Sequence, residues 1–561
     1  MMQNQGFKPK TRRLSPIPNS HWHILTHPAA STEDVRQTET VPKDIVHHIL
    51  GDFGIWQLRG VLIILLCKIP IAWFMANILF TAPEIYPRKE FSCDARAYGV
   101  NSSISGDQCF VLVSHPGRNY VMHHCHKFQY AQSFHSLLME FDLACLGDIF
   151  VAWSQYWHLF GLLVGGIAST KLLRVLSPRT VYGLGVGSLI ALGLIMAYLI
   201  QDFSQHCALR CLSGVCCALM GAAGRIVVGD IIAGRHRLIA LLLYDSYCSL
   251  ALLLLPAMAS LASNWRQVYL YITLPLFVLL ILLPYTPESP RWLLQHSRYP
   301  ETLEQVGNLV LQAAHVNDRC FKIPADFHEQ LHQLQAHLQL ADPPPGWLSL
   351  WQGRGAKLQT FAAHVALAMF FISHMGLLLN IRAFGRKNMT ANMLAIGLSE
   401  LLGCVLALNL SFKRSSHKWK WAGGLSILAG CLGCLCWLNA HLPAPYVQLS
   451  WLLLSSLPTI AVSSAQAMLL GSLEELVPSK LGATFEFSLI TWSRLWMLSA
   501  AFLTLLRQWH VAVPLSIFCT LLIVGGICTC FLVTRPREER QVKQLTGQRA
   551  GSDCYSSDTH I

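Results

Sequence analysis

The chain has 561 residues, 53% of them hydrophobic and 13% charged, where a soluble protein carries roughly 25% charged residues. A soluble enzyme is excluded on that ground. Its 42 Lys and Arg against 30 Asp and Glu give +12, but no basic stripe with interleaved aromatics stands outside the apolar runs, so nucleic acid is excluded as a partner.

Residues 1–59 form an N-terminal segment whose Lys8, Lys10, Arg12 and Arg13 lie far from any apolar core, unlike a cleaved signal peptide. Apolar runs near the ~20 residues that cross a bilayer then recur near 60–80, 151–170, 180–200, 206–229, 238–261, 266–285, 358–379, 391–411, 420–438, 444–470, 484–506 and 511–533. Twelve spans put both termini on one side of the membrane. Lys and Arg concentrate in the segments on that side, among them Lys171, Arg174, Arg179, Arg235, Arg237, Lys413, Arg414, Lys418 and Lys420, so the positive-inside rule makes it the cytoplasm. The expectation is an all-α polytopic membrane protein of the plasma membrane. Residues 60–285 form one six-helix half, 286–357 a cytoplasmic loop, 358–533 the second half and 534–561 a polar cytoplasmic tail. A six-plus-six plan suits a transporter with its site between two pseudo-symmetric halves.

The outer loop, 81–150, carries Cys93, Cys109, Cys125 and Cys145, an even number on the oxidising side, which predicts two disulfides in any of three pairings. His123, His124 and His126 flank Cys125; a zinc site and a merely His-rich, disulfide-bonded loop both fit, and the second is the expectation. Asn101-Ser102-Ser103 is a glycosylation sequon far from the membrane, whereas those at Asn388 and Asn409 lie close to it or on the other side. In the inner loop, Pro300 to Leu340 has apolar residues at three-to-four spacing, which predicts short amphipathic helices, ended by the prolines between Asp342 and Gly346.

Directly after the sixth span stands Thr286-Pro287-Glu288-Ser289-Pro290-Arg291-Trp292-Leu293-Leu294. This string resembles the signature of the organic cation, anion and carnitine transporter family within the major facilitator superfamily. Further matches are Asp44 to Gly54 with Gln57 before the first span, Arg210 with Gly214 in the fourth, Asp230 where the family has Glu, Trp265-Arg266 at the sixth, Gly376 to Asn380, Gly385, Asn392, Glu400, and Glu475-Leu476-Val477-Pro478-Ser479. The resemblance covers about 44 to 533 and implies a twelve-helix major facilitator fold and secondary transport of small organic ions. Two inner loops depart from the family pattern: Thr170, Arg174 and Ser177 replace Gly, Asp and Gly, and Ser411 to Lys418 has lost its Gly. Because those loops hold the family's inner gate, a non-transporting receptor or scaffold with the same fold is the alternative reading.

Ionisable side chains at mid-bilayer cost at least ~2.5 kcal/mol and should face partners or a wet cavity. Lys68 lies near the middle of the first span, and Arg494 in the eleventh matches the position that holds Asp in typical cation carriers of the family and Arg in anion carriers. The resemblance therefore implies an anionic or zwitterionic substrate, with a cation still open because Glu400, Asp245 and Glu486 are present. Lys68, Arg494, Glu400 and Asp245 read either as substrate contacts or as structural ion pairs. The aromatics Trp73, Phe74, Phe370, Phe371, Trp492 and Trp496 read as cavity walls or as packing, and Asn77 and Asn380 as polar lining of the outer path. Arg174, Arg210, Asp230, Glu288, Arg291 and Glu475 are expected in gating or structural roles. No phosphate loop and no His-Glu-x-x-His occurs, so the expectation is neither ATP use nor an enzyme, and no cofactor. The partners expected are a small organic ion, membrane lipid and an unidentified coupling ion or counter-substrate.

Overall fold

A computed structural model describes residues 44–83, 90–94, 102–105, 108–113, 121–296, 300–340, 345–352, 354–381, 389–413 and 415–534. The sequon Asn101 lies outside the described residues. Among them, eleven helices are long and apolar enough to cross a membrane. A twelfth, α6 (Gly147–Leu172), has 26 residues, and its Ser, Gln, His, Trp and Tyr content makes it the most polar of the set.

After a short α1 (Ile45–Leu50), the first span is built from α2 (Ile55–Leu65), α3 (Lys68–Ala76) and α4 (Ile78–Thr81). Then come the small α5 (Leu137–Glu140), α6, and four further spans: α7 (Pro178–Tyr198), α8 (Phe203–Ile231), α9 (Gly234–Ser260) and α10 (Trp265–Leu282). The helical loop holds α11 (Pro290–His296), α12 (Pro300–Val316) and α13 (Phe327–Leu340). The second half comprises α14 (Arg354–Leu379), α15 (Met389–Ser411), α16 (Ser415–Cys434), α17 (Ala444–Gly471), α18 (Gly482–Met497) continued by α19 (Ser499–Leu503), and α20 (Ala512–Cys530). Side-chain caps set several starts: Ser177 accepts from the Thr180 amide beside Pro178 at the head of α7, and Asn264 accepts from Gln267 at the head of α10.

Within the first half α6 packs on α8, α8 on α7, α7 on α10 and α3 on α9; within the second, α16 and α14 pack on α20, α15 and α16 on α17, and α14 on α18. The halves meet along two seams, α9 against α15 and α17, and α6 against α18 and α19. Apolar lipid tails offer no hydrophobic drive between helices, so close backbone approach through small residues matters. At Gly161 of α6 an added Cβ would lie 1.9 Å from the Cys211 carbonyl of α8, and at Gly214 it would lie 2.2 Å from the His158 carbonyl. Each glycine admits the other helix's backbone.

The loop between the first and second spans departs from an all-α body. Antiparallel strands β1 (Phe91–Cys93) and β5 (Phe128–Tyr130) pair, as do β2 (Ser102–Ile104), β3 (Phe110–Val113) and β4 (Val121–His124). Cys93 is bonded to Cys125 and Cys109 to Cys145, and among the described residues no cluster of metal-binding side chains forms. This cap is clamped to the first half. Glu140 accepts from Trp265 Nε1 at 2.6 Å and from Arg266 Nη2 at 2.5 Å, while the His135 amide donates to the Ser263 carbonyl at 3.1 Å and the His135 carbonyl accepts from the Trp265 amide at 3.0 Å. Burial pushes the Glu140 carboxyl up, but the hydrogen bonds from Arg266 and Trp265 and the charges of Arg266 and His135 outweigh it and hold its pKa below the usual value.

On the opposite face, α1 and α11 to α13 share a small core of Ile45, Val46, Leu294, Val306, Val310, Phe327 and Leu331. Gln57 is fixed there: it donates to the Leu50 carbonyl at 3.1 Å and accepts from Asn317 Nδ2 at 2.8 Å. Gly51, with φ of 72°, lets the Arg319 guanidinium lie against the chain where a side chain would stand.

Two outcomes follow from these contacts. Gly161→Val forces α6 and α8 apart, an overpacking cost of about 1–3 kcal/mol, so its melting temperature in detergent falls and its size-exclusion profile broadens. Because the Glu140 carboxyl is held below its unfolded value of about 4.3, its contribution is present above that pH and lost as pH falls through the folded value. Glu140→Gln therefore lowers the melting temperature at pH 7 and flattens its decline between about pH 5 and 3.

Candidate functional site

The central charges are mostly compensated. Lys68 Nζ lies 3.6 Å from Asp245 Oδ1 and 3.8 Å from the Tyr244 ring centroid. The other oxygen of Asp245 takes Arg225 Nη1 at 2.5 Å, and Arg225 Nε reaches Glu486 Oε1 at 2.8 Å while Nη2 donates to the Leu470 carbonyl at 2.9 Å. Arg225 on α8 thus ties α9 of its own half to α17 and α18 of the other. The sequence reading passed over it, although an arginine in the apolar run Gly221-Ala222-Ala223-Gly224-Arg225 carries the same desolvation cost as Lys68 and signals a partner equally well.

Arg494 is different. From α18 it crosses to α6, donating Nη1 to the Leu162 carbonyl at 3.0 Å. Its guanidinium fits because residue 166 is glycine, where a Cβ would stand 2.1 Å from Nη1. No carboxylate among the described residues is within 4.0 Å of it.

Glu400, with a side chain 3% exposed, faces the other seam. It accepts from Ser249 of α9 at 2.9 Å and lies 2.8 Å from His374 Nε2 of α14, whose Nδ1 is 2.9 Å from Gln466 Oε1 of α17. Nothing in the sequence distinguished His374 and Gln466 from other polar residues in apolar helices.

The remaining expected lining residues divide. Phe371 lies one turn before His374 on the same face of α14 and is half-buried, whereas Phe370 is fully buried and packs on Gly525 of α20, away from the seams. Trp73 is buried and donates to the Ala251 carbonyl at 2.6 Å, and Phe74 is buried against Tyr269, so both serve packing of the first half. Trp492 and Trp496 meet edge to face, their ring centroids 5.8 Å apart, and are 43% and 46% exposed. Trp492 is two residues from Arg494, about 200° around the helix, and so turns away from the seam that Arg494 enters. Asn77 accepts from Arg210 Nη1 at 2.8 Å, and Arg210 Nη2 donates to Gln155 at 2.5 Å; Arg210 is wholly buried in the first half with neutral partners. Asn380 is buried, its Nδ2 without a partner among the described residues.

A cavity of about 170 Å³ lies between the halves beside the disulfide-bonded cap, lined by Leu79, Asp148 and Gln155 from one half and Leu379, Thr504 and Arg507 from the other. The Arg507 to Asp148 ion pair, at 2.5 Å, spans it. On the opposite face Arg237 pairs with Glu474 across the halves at 2.7 Å. Both ends of the interface are therefore latched by charge.

The signature after the sixth span is a staple. Pro287 fills the space at Gly60, Ser289 donates to Asp230, Arg291 pairs with Asp44, and Trp292 Nε1 donates to the Leu173 carbonyl at 2.6 Å. Burial raises the Glu288 pKa against the charge of Arg179 and a hydrogen bond from Ser177. Burial also pushes Asp44 up, but Arg291 prevails and holds its carboxyl below the usual range. In the second half Lys418 pairs with Glu475. Arg174, by contrast, is exposed and makes no ion pair among the described residues.

The chain has two packed six-helix halves with polar groups gathered on the faces where they meet, and the Major Facilitator Superfamily pattern matches residues 129–500, so the chain belongs to that superfamily of membrane transporters. It is a diverged relative of solute carrier family 22: it is 22% identical over 436 residues to mouse solute carrier family 22 member 3, covering 70% of this chain and 75% of that one. Human solute carrier family 22 member 13 is 24% identical over 395 residues, 70% and 68% of the two chains, and a carcinine transporter of Drosophila melanogaster 24% over 253 residues, 43% and 35%. The fold is that of the xylose transporter XylE, with TM-score 0.57, 13% identity and coverage of 88% and 99% for a double Trp mutant, and 0.56, 12%, 87% and 99% for its inward-open form from E. coli. These relatives are transporters, which disfavours both an enzyme and a receptor-like reading.

Arg225→Leu leaves Glu486, 38% exposed, without its partner and Asp245 with Lys68 alone. Breaking a fully buried pair costs about 3–5 kcal/mol, and less where one partner remains and the other reaches water, so the variant melts below the parent in detergent, and adding Glu486→Gln restores part of the loss.

Proposed function

We propose that the protein carries small organic anions or zwitterions across the plasma membrane by alternating access, its two halves rocking about the Arg494 and Glu400 seams. The supporting observation is that Arg494 is a central cation facing the opposite half with only a backbone carbonyl for a partner, whereas Lys68 and Arg225 are each neutralised by carboxylates. A half-buried cation with no carboxylate at ion-pair distance among the described residues favours an anion in its place. In this reading Arg494 holds the substrate's anionic group, Phe371 and Asn380 line the path, and Lys68 sets the local field through Asp245. The Arg507 to Asp148 and Arg237 to Glu474 pairs are the latches that open in turn. Both termini and the helical loop face the cytoplasm, and the disulfide-bonded cap, glycosylated at Asn101, faces outside.

The test is uptake of labelled organic anions, carnitine-like zwitterions and organic cations by cells with verified surface expression. Arg494→Asp is expected to abolish anion uptake, and Gly166→Val, which displaces the guanidinium without changing charge, to lower it at least about tenfold, the equivalent of 1.4 kcal/mol. Cation uptake indifferent to Arg494 would contradict the charge assignment; surface expression without uptake of any class would contradict transport.

A further inference from the structure

Between the Arg507 to Asp148 and Arg237 to Glu474 latches, the charges along the seams fall into two groups. Lys68, Arg225, Asp245 and Glu486 form one network, two cations with two anions. What remains along the seams is Arg494 on one side and the Glu400 to His374 pair on the other. We propose that His374 and Glu400 form a proton-binding site, and that the protein moves one proton with each organic anion. The proposal rests on the reading of Arg494 as the anion's partner.

The hydrogen bonds set the proton count. With Gln466 Oε1 accepting, His374 carries its ring proton on Nδ1, and Ser249 Oγ donates to Glu400 Oε2. One further proton can be shared between His374 Nε2 and Glu400 Oε1, 2.8 Å apart. With it the pair is neutral overall; without it, an imidazole and a carboxylate leave one negative charge. The proton comes from the water on one side and returns to the water on the other, and no bond to carbon changes.

The charged neighbours of this pair are engaged elsewhere. From α9, Asp245 is engaged by Lys68 and Arg225, and the Cys248 thiol lies close by. From α18, Glu486 is held by Arg225 and Arg494 sits at the other seam. α17 offers the amide of Gln466 and, at its far end, Tyr446; α19 carries no acid or base, and α20 only cysteines. Lys418 of α16 is paired with Glu475.

Closing the halves removes these groups from water, and a net charge resists that removal. With neither ligand, Arg494 and the unprotonated pair sum to zero. With both anion and proton bound, they again sum to zero. Anion alone leaves one negative charge and proton alone one positive charge, so only the empty and doubly loaded forms close readily. Arg210 does not alter the comparison, because it is sealed in the first half and its charge is the same in every form. Strict coupling of anion to proton follows, with no net charge moved.

Proteoliposomes with the full chain test this using labelled benzenesulfonate, whose charge does not titrate, under imposed pH gradients and clamped membrane potential. The expected result is accumulation that rises about tenfold at steady state per unit of pH gradient, with no response to potential. Glu400→Gln fixes the pair in a form like the loaded one, so it should lose gradient-driven net uptake yet retain exchange of internal for external benzenesulfonate; His374→Gln should also lose the gradient response. Uptake indifferent to pH overturns the proton coupling and leaves the anion reading standing. If benzenesulfonate is not carried, the anion reading fails for this probe and the proton site is decided on purified protein: a pH dependence of the melting temperature between pH 5 and 8 that Glu400→Gln and His374→Gln both diminish supports it, and identical profiles in all three overturn it.

Discussion

A charge cannot be left alone in a bilayer. The whole central architecture depends on that constraint, because Lys68, Arg225, Asp245 and Glu486 are affordable only as a set. Arg225 is the keystone: one guanidinium satisfies a carboxylate of its own half, a carboxylate of the other half and the free carbonyl near the end of α17. Every motion that parts the halves on that side must give the Glu486 and Leu470 contacts water or a substitute, while the Asp245 contact stays within the first half. The compensated set also marks by contrast the places along the seams where compensation is incomplete, Arg494 and the pair of Glu400 with His374, while Arg210 lies with neutral partners inside the first half.

The two seams are built differently. Along α6 and α8 the first half is drawn together by glycines, and Gly166 then opens a notch into which the second half's Arg494 reaches. Along α9 the Ser249 hydroxyl meets the Glu400 carboxylate, Leu253 fills the space at Gly397 of α15, and Arg237 pairs with Glu474. The first seam is thus a notch that holds a cation, and the second places a carboxylate and an imidazole against the opposite half.

Much of the fold was legible from the chain. Twelve runs of apolar residues mark the helices, because a bilayer imposes one length on all of them, and the signature from Pro287 to Trp292 carried the relationship. Its residues now have contacts: each docks on a different element of the first half. The spans were less exact at their ends, since α6 begins at Gly147 and α2 at Ile55, where amphipathic turns extend beyond the apolar core. The strands of the cap escaped notice because they are short and their apolar alternation is weak. For the site, cost arguments found Lys68, Glu400, Arg494, Asp245 and Glu486, yet could not tell which way Trp492 or Phe370 pointed. Facing is fixed by helix rotation within the bundle, which composition does not record.

The cap has a mechanical consequence. It is joined to α6 through Cys109 and Cys145 and to the head of α10 through Glu140, Trp265 and Arg266, all in the first half. It is therefore a passenger of that half and has to swing with it. Lying beyond the membrane, far from the axis about which the halves turn, it acts as a pointer on a lever: a few degrees of rocking become a much larger sweep at its tip. Any protein that grips the cap and anything fixed in the membrane or on the second half would brake the cycle without touching the charges at its centre.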